Sequence, residues 1–131
     1  MSTNSTIAVK TEKGYEAIYV HNDGYFSYMY PMLSENYASW ERAAALVSFG
    51  DASFIDKRIM PSQGSGHTFD HPEKGVCIFY HRDRSEPWAQ NKPSFYLTKG
   101  EVLKSQYYVY IFEDGQWKAY QGGAEVDSYE Y

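Results

Sequence analysis

The chain has 131 residues, of which 43% are apolar and 22% are charged, and its formal net charge is −5. This length fits one domain with a modest core, and the composition is typical of a globular rather than a disordered protein. The charge balance argues against broad contact with duplex nucleic acid, because such contact would need many more cationic side chains. No apolar run approaches the length of a membrane span and no secretory leader is apparent, so we expect no membrane contact and a cytoplasmic location.

The cysteine and tyrosine content further restricts the kinds of bond and site that the chain can form. Cys77 is the one cysteine and lies in an apolar run, so the chain can form neither an intrachain disulfide nor a paired-cysteine metal site. Aromatic residues make up 18% of the chain and include 14 tyrosines. Because tyrosine is enriched where apolar surface meets water or a partner, we expect some of these rings at interfaces.

The predicted elements begin with a hairpin. Residues 6–10 and 15–20 each predict a strand, and the turn between them ends at Gly14, which is expected to supply a positive φ angle. A helical region follows, in which Pro31 suits the first turn of one helix and Ser39 the N-cap of a second. Gly50 is placed to end that second helix.

The second half of the chain predicts fewer helices. Residues 76–80 are apolar on both faces and predict a central strand, whereas residues 61–75 and 85–93 lack periodicity and predict long loops. A short helix is expected near residues 100–106, and Asp114 and Gly115 predict the turn of a second hairpin. The fold class is therefore α+β: a single domain over residues 1–120, with an antiparallel β-sheet packed against two or three α-helices, and an acidic flexible tail at 121–131.

The segment VCIFYHRDR, residues 76–84, carries the main candidate chemistry. Arg82 and Arg84 flank Asp83, which could orient either guanidinium, and arginine both binds phosphate bidentately and stacks on aromatic rings. Phe79 and Trp88 could stack a nucleobase. The alternative is an ordinary strand end with a solvated Arg–Asp pair.

Other polar clusters give weaker signals. His21 and Asp23 lie in a turn after the second strand, and His67, Asp70 and His71 form a fragment with metal-ligand spacing. Neither cluster supplies a defined set of three or four donors on one element, so no metal and no cofactor are predicted. No serine lies in a nucleophile elbow, and Cys77 lies in a predicted core strand. We therefore expect a protein that is not an enzyme.

Several segments together resemble a family of small phage and prophage proteins. These segments are STIAVK at 5–10, IYVHNDGY at 18–25, SFGD at 48–51, HTFDHPEKGV at 67–76 and FYHRDRSE at 79–86. Their order is similar to that of the Thoeris anti-defence family of the first type. The chain departs from the family at Asn22, where the family has tryptophan, and at Ser85, where it has glycine.

The resemblance implies a molecular sponge in the cytosol of a bacterial host. Family members form homo-oligomers, as dimers or larger assemblies such as hexamers, and sequester cyclic ADP-ribose signals without cleaving them. Some also hold cyclic oligonucleotides at a separate site. In this chain Arg82, Arg84 and Lys92 would hold the pyrophosphate, Phe79 or Trp88 the adenine, and Asn91 and Asp83 the ribose hydroxyls; His81, His21 and Asp23 complete the predicted ligand-binding set.

Two other function classes stay open. The acidic, tyrosine-bearing tail and the abundance of aromatic residues suit a protein–protein inhibitor of a host nuclease or defence complex. A nucleotide hydrolase is the third hypothesis, and it depends only on scattered aspartates and histidines.

Overall fold

The computed structural model describes residues 2–126, which form one eight-stranded sheet and five helices. The strands are β1 (Ser5–Lys10), β2 (Tyr15–Val20), β3 (Ala52–Phe54), β4 (Ile78–Phe79), β5 (Ser94–Tyr96), β6 (Tyr108–Glu113), β7 (Gln116–Gln121) and β8 (Ala124–Val126). The helices are α1 (Phe26–Asn36), α2 (Trp40–Ser48), α3 (Tyr80–Arg84), α4 (Trp88–Asn91) and α5 (Lys99–Leu103).

The sheet is mixed, which corrects the prediction of an antiparallel sheet with two or three helices. Its order is β4-β3-β2-β1-β6-β7-β8, and β5 pairs with β2. β1 is parallel to β6, and β2 is parallel to β3, whereas the other pairs are antiparallel. Side-chain alternation reports which face of a strand is buried but not the direction of its neighbour, so the sequence pattern carries no signal for the parallel pairs.

Side chains alternate between two cores on the two faces of the sheet. On one face, Ile7, Ile18 and Phe112 pack with the buried sides of α1 and α2. On the opposite face, Ala8 and Ile111 belong to a smaller cluster that the short helix α5 covers. The sheet therefore has two long helices on one side and one short helix on the other.

Both predicted hairpins are present, but the role of Gly14 differs from the predicted one. In the second hairpin Asp114 and Gly115 have φ angles of 55° and 77°, as a tight turn requires. Gly14 in the first hairpin does not have a positive φ angle. It is needed for space instead, because a Cβ there would lie 2.5 Å from the carbonyl oxygen of Tyr96 and 2.7 Å from the ring of Phe95.

Helix α2 begins and ends where the sequence predicts, whereas α1 begins earlier than predicted. Ser39 caps α2 by accepting a hydrogen bond from the backbone N–H of Arg42 at 3.2 Å, and Gly50 follows the helix end with φ 85°. Helix α1, however, begins at Phe26, so Pro31 lies inside it rather than in its first turn. The lost hydrogen bond at Pro31 is offset by burial of Met29 and other apolar residues on the core side.

The predicted central strand at 76–80 is reduced to the two residues of β4, which lie at the end of the sheet. The chain turns into α3 at Tyr80, because the Asp83 carboxylate accepts the backbone N–H of Phe79 at 2.8 Å and favours a helical turn there. Cys77 and Phe79 are buried in the core on the α2 side of the sheet, and periodicity alone cannot distinguish this burial from that of a central strand.

The sheet continues beyond the predicted domain boundary at residue 120. Gln121 belongs to β7, and β8 pairs with β7 up to Val126. The rest of the predicted tail, residues 127–131, lies outside the described residues. Within residues 2–126 no helix is long and apolar enough to cross a membrane.

Candidate functional site

Arg82 is held by the protein itself. Its guanidinium donates to both carboxylate oxygens of Asp83, to the carbonyl of Ile59 at 2.6 Å and to the carbonyl of Cys77 at 2.9 Å. Four of the five N–H groups of an arginine are thereby used. The cation also lies 4.9 Å from the ring centroid of Phe79. Arg82 therefore fixes the chain around β4, and few of its donors remain for a phosphate.

Asp83 is the centre of this buried network. Its side chain is only 4% exposed and accepts hydrogen bonds from Arg82 and from the backbone of Phe79. His67 Nε2 lies 3.3 Å from Asp83 Oδ2, a close polar contact, while His67 Nδ1 accepts the backbone N–H of Glu73. The carboxylate thus ties the loop at 61–75 to α3, and it is not open to a ribose hydroxyl.

Two further predicted contacts are enclosed by the fold. Phe79 is fully buried and stacks on Phe49 with ring centroids 5.1 Å apart. Asn91 is also buried, and its side-chain amide donates to the carbonyl of Pro87 at 2.8 Å. The structure places both residues in the framework beneath the surface, away from any ligand in solution.

Trp88 and His81 form the open part of the predicted site. Trp88 is 40% exposed, and its ring lies 5.1 Å from that of His81 in an edge-on contact. Together with Ser48, Phe49 and one side of Arg82 they line a shallow groove of about 370 Å³, called here the Trp88 groove. Its volume is at the lower end of the range for small-molecule sites.

Arg84 lies on the outer side of α3, next to His81. Its guanidinium lies 4.6 Å from the ring centroid of Phe69, and Phe69 in turn stacks on Tyr80. The one ion pair of Arg84 among the described residues is to Glu86 at 3.4 Å, and its side chain is 54% exposed. Arg84 therefore combines a fixed position with donors that face solvent.

The sequence did not predict the contact between Phe69 and Arg84. Phe69 lies in a loop rich in Gly, Ser and Pro, where a lone aromatic residue is the only available signal. The backbone N–H of Phe69 donates to the Asp83 carbonyl at 3.0 Å, which holds the loop against α3. The platform beneath Arg84 is therefore contributed by a segment with no periodic pattern.

The remaining predicted residues lie outside the Trp88 groove. Lys92 is exposed at the end of α4. His21 Nδ1 lies 2.8 Å from the Tyr19 hydroxyl, and Asp23 adopts a left-handed conformation, φ 57°, in the turn before α1. None of the three lines the groove.

A half-buried carboxylate also lies near the end of β2. Asp51 Oδ1 accepts the backbone N–H of Tyr19 at 2.9 Å. Burial raises the pKa of Asp51, while that hydrogen bond opposes the increase. No group of three or more His, Cys, Asp or Glu side chains within residues 2–126 is arranged to hold a metal ion.

A second, larger concavity extends along α2 and shares Ser48 with the Trp88 groove. This cleft of about 1060 Å³ is bordered by the tips of both hairpins, by Trp40 on α2 and by Phe95 on β5. We call it the hairpin cleft. None of its residues belongs to the predicted ligand set, and the sequence gives no direct sign of it, because β5 reaches β2 only through tertiary pairing.

Comparison of the chain with models of protein families, with curated proteins and with solved structures finds no match in any of the three. The likeness of its motifs to the Thoeris anti-defence family therefore stays a prediction.

Proposed function

We propose that this protein binds and sequesters a small cyclic nucleotide signal of the cyclic ADP-ribose type and releases it unchanged. One observation carries the proposal: Trp88 and His81 are in contact in the Trp88 groove, and the exposed Arg84 follows His81 by three residues on α3. An indole face and an open guanidinium are the two groups that a base linked to a pyrophosphate requires.

The roles differ from those expected from the sequence alone. Arg84 replaces Arg82 as the phosphate-binding group, because the Arg82 donors are engaged and those of Arg84 face solvent. Its contact with Phe69 limits its rotamers before a ligand arrives, which reduces the entropy lost on binding.

His81 supplies a directional polar contact in this scheme. Its Nδ1 lies 2.8 Å from the Glu86 carbonyl, an acceptor, so Nδ1 carries the proton. In the neutral ring Nε2 is then an acceptor, which suits a ribose hydroxyl or an exocyclic amine. The base would lie on Trp88, the sugar near His81 and the pyrophosphate near Arg84.

The groove is shallow, and we propose that a second copy of the chain covers the bound ligand. A volume of about 370 Å³ fits part of a dinucleotide-sized molecule more readily than the whole. The oligomer, a dimer or a larger ring, would then bind more tightly than the isolated protomer. Light scattering with and without ligand measures whether the ligand favours the oligomer.

The proposal is tested by calorimetry with cyclic ADP-ribose isomers, followed by heat denaturation and chromatography of the released ligand. We expect binding and recovery of the intact molecule. Trp88→Ala should weaken binding by roughly 5- to 100-fold, from the loss of one stacked base. Arg84→Gln should weaken it by about tenfold or more, from the loss of a charged hydrogen bond.

Matched controls exist on α2. Trp40→Ala removes another exposed tryptophan, and Arg42→Gln removes an arginine that also lies over a ring, that of Tyr37 at 5.2 Å. Both should leave nucleotide binding unchanged. Equal losses in the control variants, or no binding of any isomer, would overturn the proposal, and a cleaved ligand would indicate an enzyme.

A protein–protein inhibitor is the second candidate. The observation in its favour is the exposure of large apolar side chains on and after β5, with Phe95 54% and Leu97 68% exposed. Since the sheet runs to Val126, the informative truncation removes residues 127–131 only. An inhibitor that uses its tail would lose activity on truncation, whereas a nucleotide sponge would keep it.

A further inference from the structure

The hairpin cleft has the form of a small-molecule site. Val9, Val47 and Phe112, which belong to the sheet-and-α2 core, form part of its wall, and its volume of about 1060 Å³ is at the upper end for such sites. Its open sides carry two exposed rings, Trp40 and Phe95. The cleft is therefore a mostly apolar concavity with aromatic edges.

The aromatic edges are held in place. The indole Nε1 of Trp40 donates to the Lys10 carbonyl at 3.0 Å. The ring of Phe95 passes over Gly14, where any side chain would collide with it. Both rings are thus positioned without a ligand, which favours recognition over simple hydrophobic collapse.

The charges around the cleft are divided between the two faces of the sheet. Lys10 borders the cleft with its backbone, but its ammonium lies on the other face, 5.9 Å from the ring centroid of Tyr15. Glu113 also turns to that face, where it pairs with Lys99 at 2.7 Å. These two charges therefore do not contribute to the interior of the cleft.

Among the described residues, Glu16 is the charge on the cleft wall that remains without a partner, since Asp114, which also borders the cleft, pairs with Lys118 at 3.5 Å. Glu16 lies on the same face of β2 as Ile18, which is buried on the α2 side, and its partner on β5 is Phe95. Glu16 has no ion pair within residues 2–126. At the turn, Glu12 and Lys13 carry opposite charges that offset each other. The cleft is therefore anionic beside an aromatic ring.

We propose that the hairpin cleft binds an amphipathic organic cation, a molecule with an apolar body and one ammonium group. The ammonium would lie between Glu16 and the rings of Phe95 and Trp40, since aromatic faces and a carboxylate together recognise alkylated ammonium ions. The apolar body would cover Val9 and Val47. Glu16, Phe95 and Trp40 do not line the Trp88 groove, so this proposal does not depend on the proposed nucleotide function.

The experiment uses benzyltrimethylammonium as the probe, with benzenesulfonate as an anionic comparison. Binding is followed by calorimetry and by the NMR signal of the Trp40 indole N–H, which donates to the Lys10 carbonyl at the edge of the cleft. We expect the cation to bind and to shift this signal, and the sulfonate to do neither.

Substitutions separate charge from shape. Glu16→Gln keeps the size of the side chain and should weaken cation binding by about fivefold or more, whereas Glu35→Gln on α1 should have no effect. Phe95→Leu keeps an apolar side chain and should weaken binding by about two- to fivefold. Trp88→Ala should leave cation binding unchanged, which distinguishes this site from the nucleotide site.

Circular dichroism and thermal melting establish that each variant is folded. Equal affinity for the cation and the sulfonate would overturn the proposal, as would binding that is insensitive to Glu16→Gln in a folded variant. A failure of nucleotide binding would leave this result unaffected, because the two measurements use different ligands and different variants.

Discussion

The guanidinium of Arg82 meets the carboxylate of Asp83, its neighbour in sequence, at two points: Nε lies 2.8 Å from Oδ1 and Nη2 lies 3.1 Å from Oδ2. The pair also holds the backbone at Ile59, Cys77 and Phe79. Arg82 is thus a structural residue, whereas Arg84 faces solvent.

The two arginines should therefore differ in their effect on stability. Arg82→Met leaves the buried Asp83 carboxylate without its cation and should lower the free energy of unfolding by about 2–4 kcal/mol. Arg84→Gln removes an exposed pair and should change it by less than about 0.5 kcal/mol. Urea denaturation of both variants measures this, and equal losses would contradict the division of roles.

Lys99 and Glu113 form a pair in which only the lysine reaches solvent. The Glu113 side chain is buried, and the hydrogen bond to it raises the pKa of Lys99. Lys99→Met should lower the free energy of unfolding by about 2–3 kcal/mol, because it strands a buried carboxylate. The double variant Lys99→Met with Glu113→Gln should recover most of this loss.

The contribution of the Lys99–Glu113 pair to stability should decrease at high pH. A raised pKa in the folded state means that the stabilisation is complete below the ordinary lysine value of 10.5 and is lost as pH rises above it. Denaturation between pH 9 and pH 11 should therefore show a steeper fall for the native sequence than for the double variant. Parallel curves would rule out this coupling.

Gly14 and Gly100 provide opposite tests of glycine replacement. Gly14→Ala places a methyl group against the Tyr96 carbonyl and the Phe95 ring, and should destabilise the fold by about 1–3 kcal/mol. Gly100 lies in α5 with its nearest neighbour at 3.9 Å, so Gly100→Ala should stabilise the fold by up to about 1 kcal/mol. Thermal melts of the two variants should shift in opposite directions.

Glu73 joins the two ends of the loop at 61–75. The Arg58 guanidinium, followed by hydrogen bonds from Ser62, lowers the pKa of Glu73 from 4.5 to about 2. The contribution of this contact is present above pH 4.5 and is lost as pH falls towards 2.

Carboxyl-carbon NMR titration of Glu73 measures this contact. In Arg58→Gln the pKa of Glu73 should rise towards 4.5, whereas in Arg84→Gln it should stay low. A Glu73 pKa that does not respond to Arg58→Gln would show that the ion pair is absent in solution.

Local signals in the sequence were sufficient for the hairpins and for the start of α2. The Asp114–Gly115 turn and the Ser39 cap each depend on residues a few positions apart, so their chemistry is visible in the sequence itself. The mixed pairing of the sheet is not visible, because the register of β1 against β6 is set by residues far apart in the chain.

The candidate site was predictable in composition but not in the role of each residue. The sequence shows two arginines, but the acceptors of Arg82 include the backbone carbonyls of Ile59 and Cys77, and every residue type carries a carbonyl. Phe69 and Phe95 become important only when a loop and a short strand reach their positions. Such roles depend on tertiary contacts.

The position of β1 between β2 and β6 affects how the protein is made on the ribosome. Ser5 pairs with Tyr108, so one edge of β1 stays unpaired until β6, 103 residues further along the chain (108 − 5), has been synthesised. At roughly 5–20 residues per second, this interval lasts several seconds. During translation the β1–β2 hairpin therefore exposes an open strand edge to which another chain could add a strand.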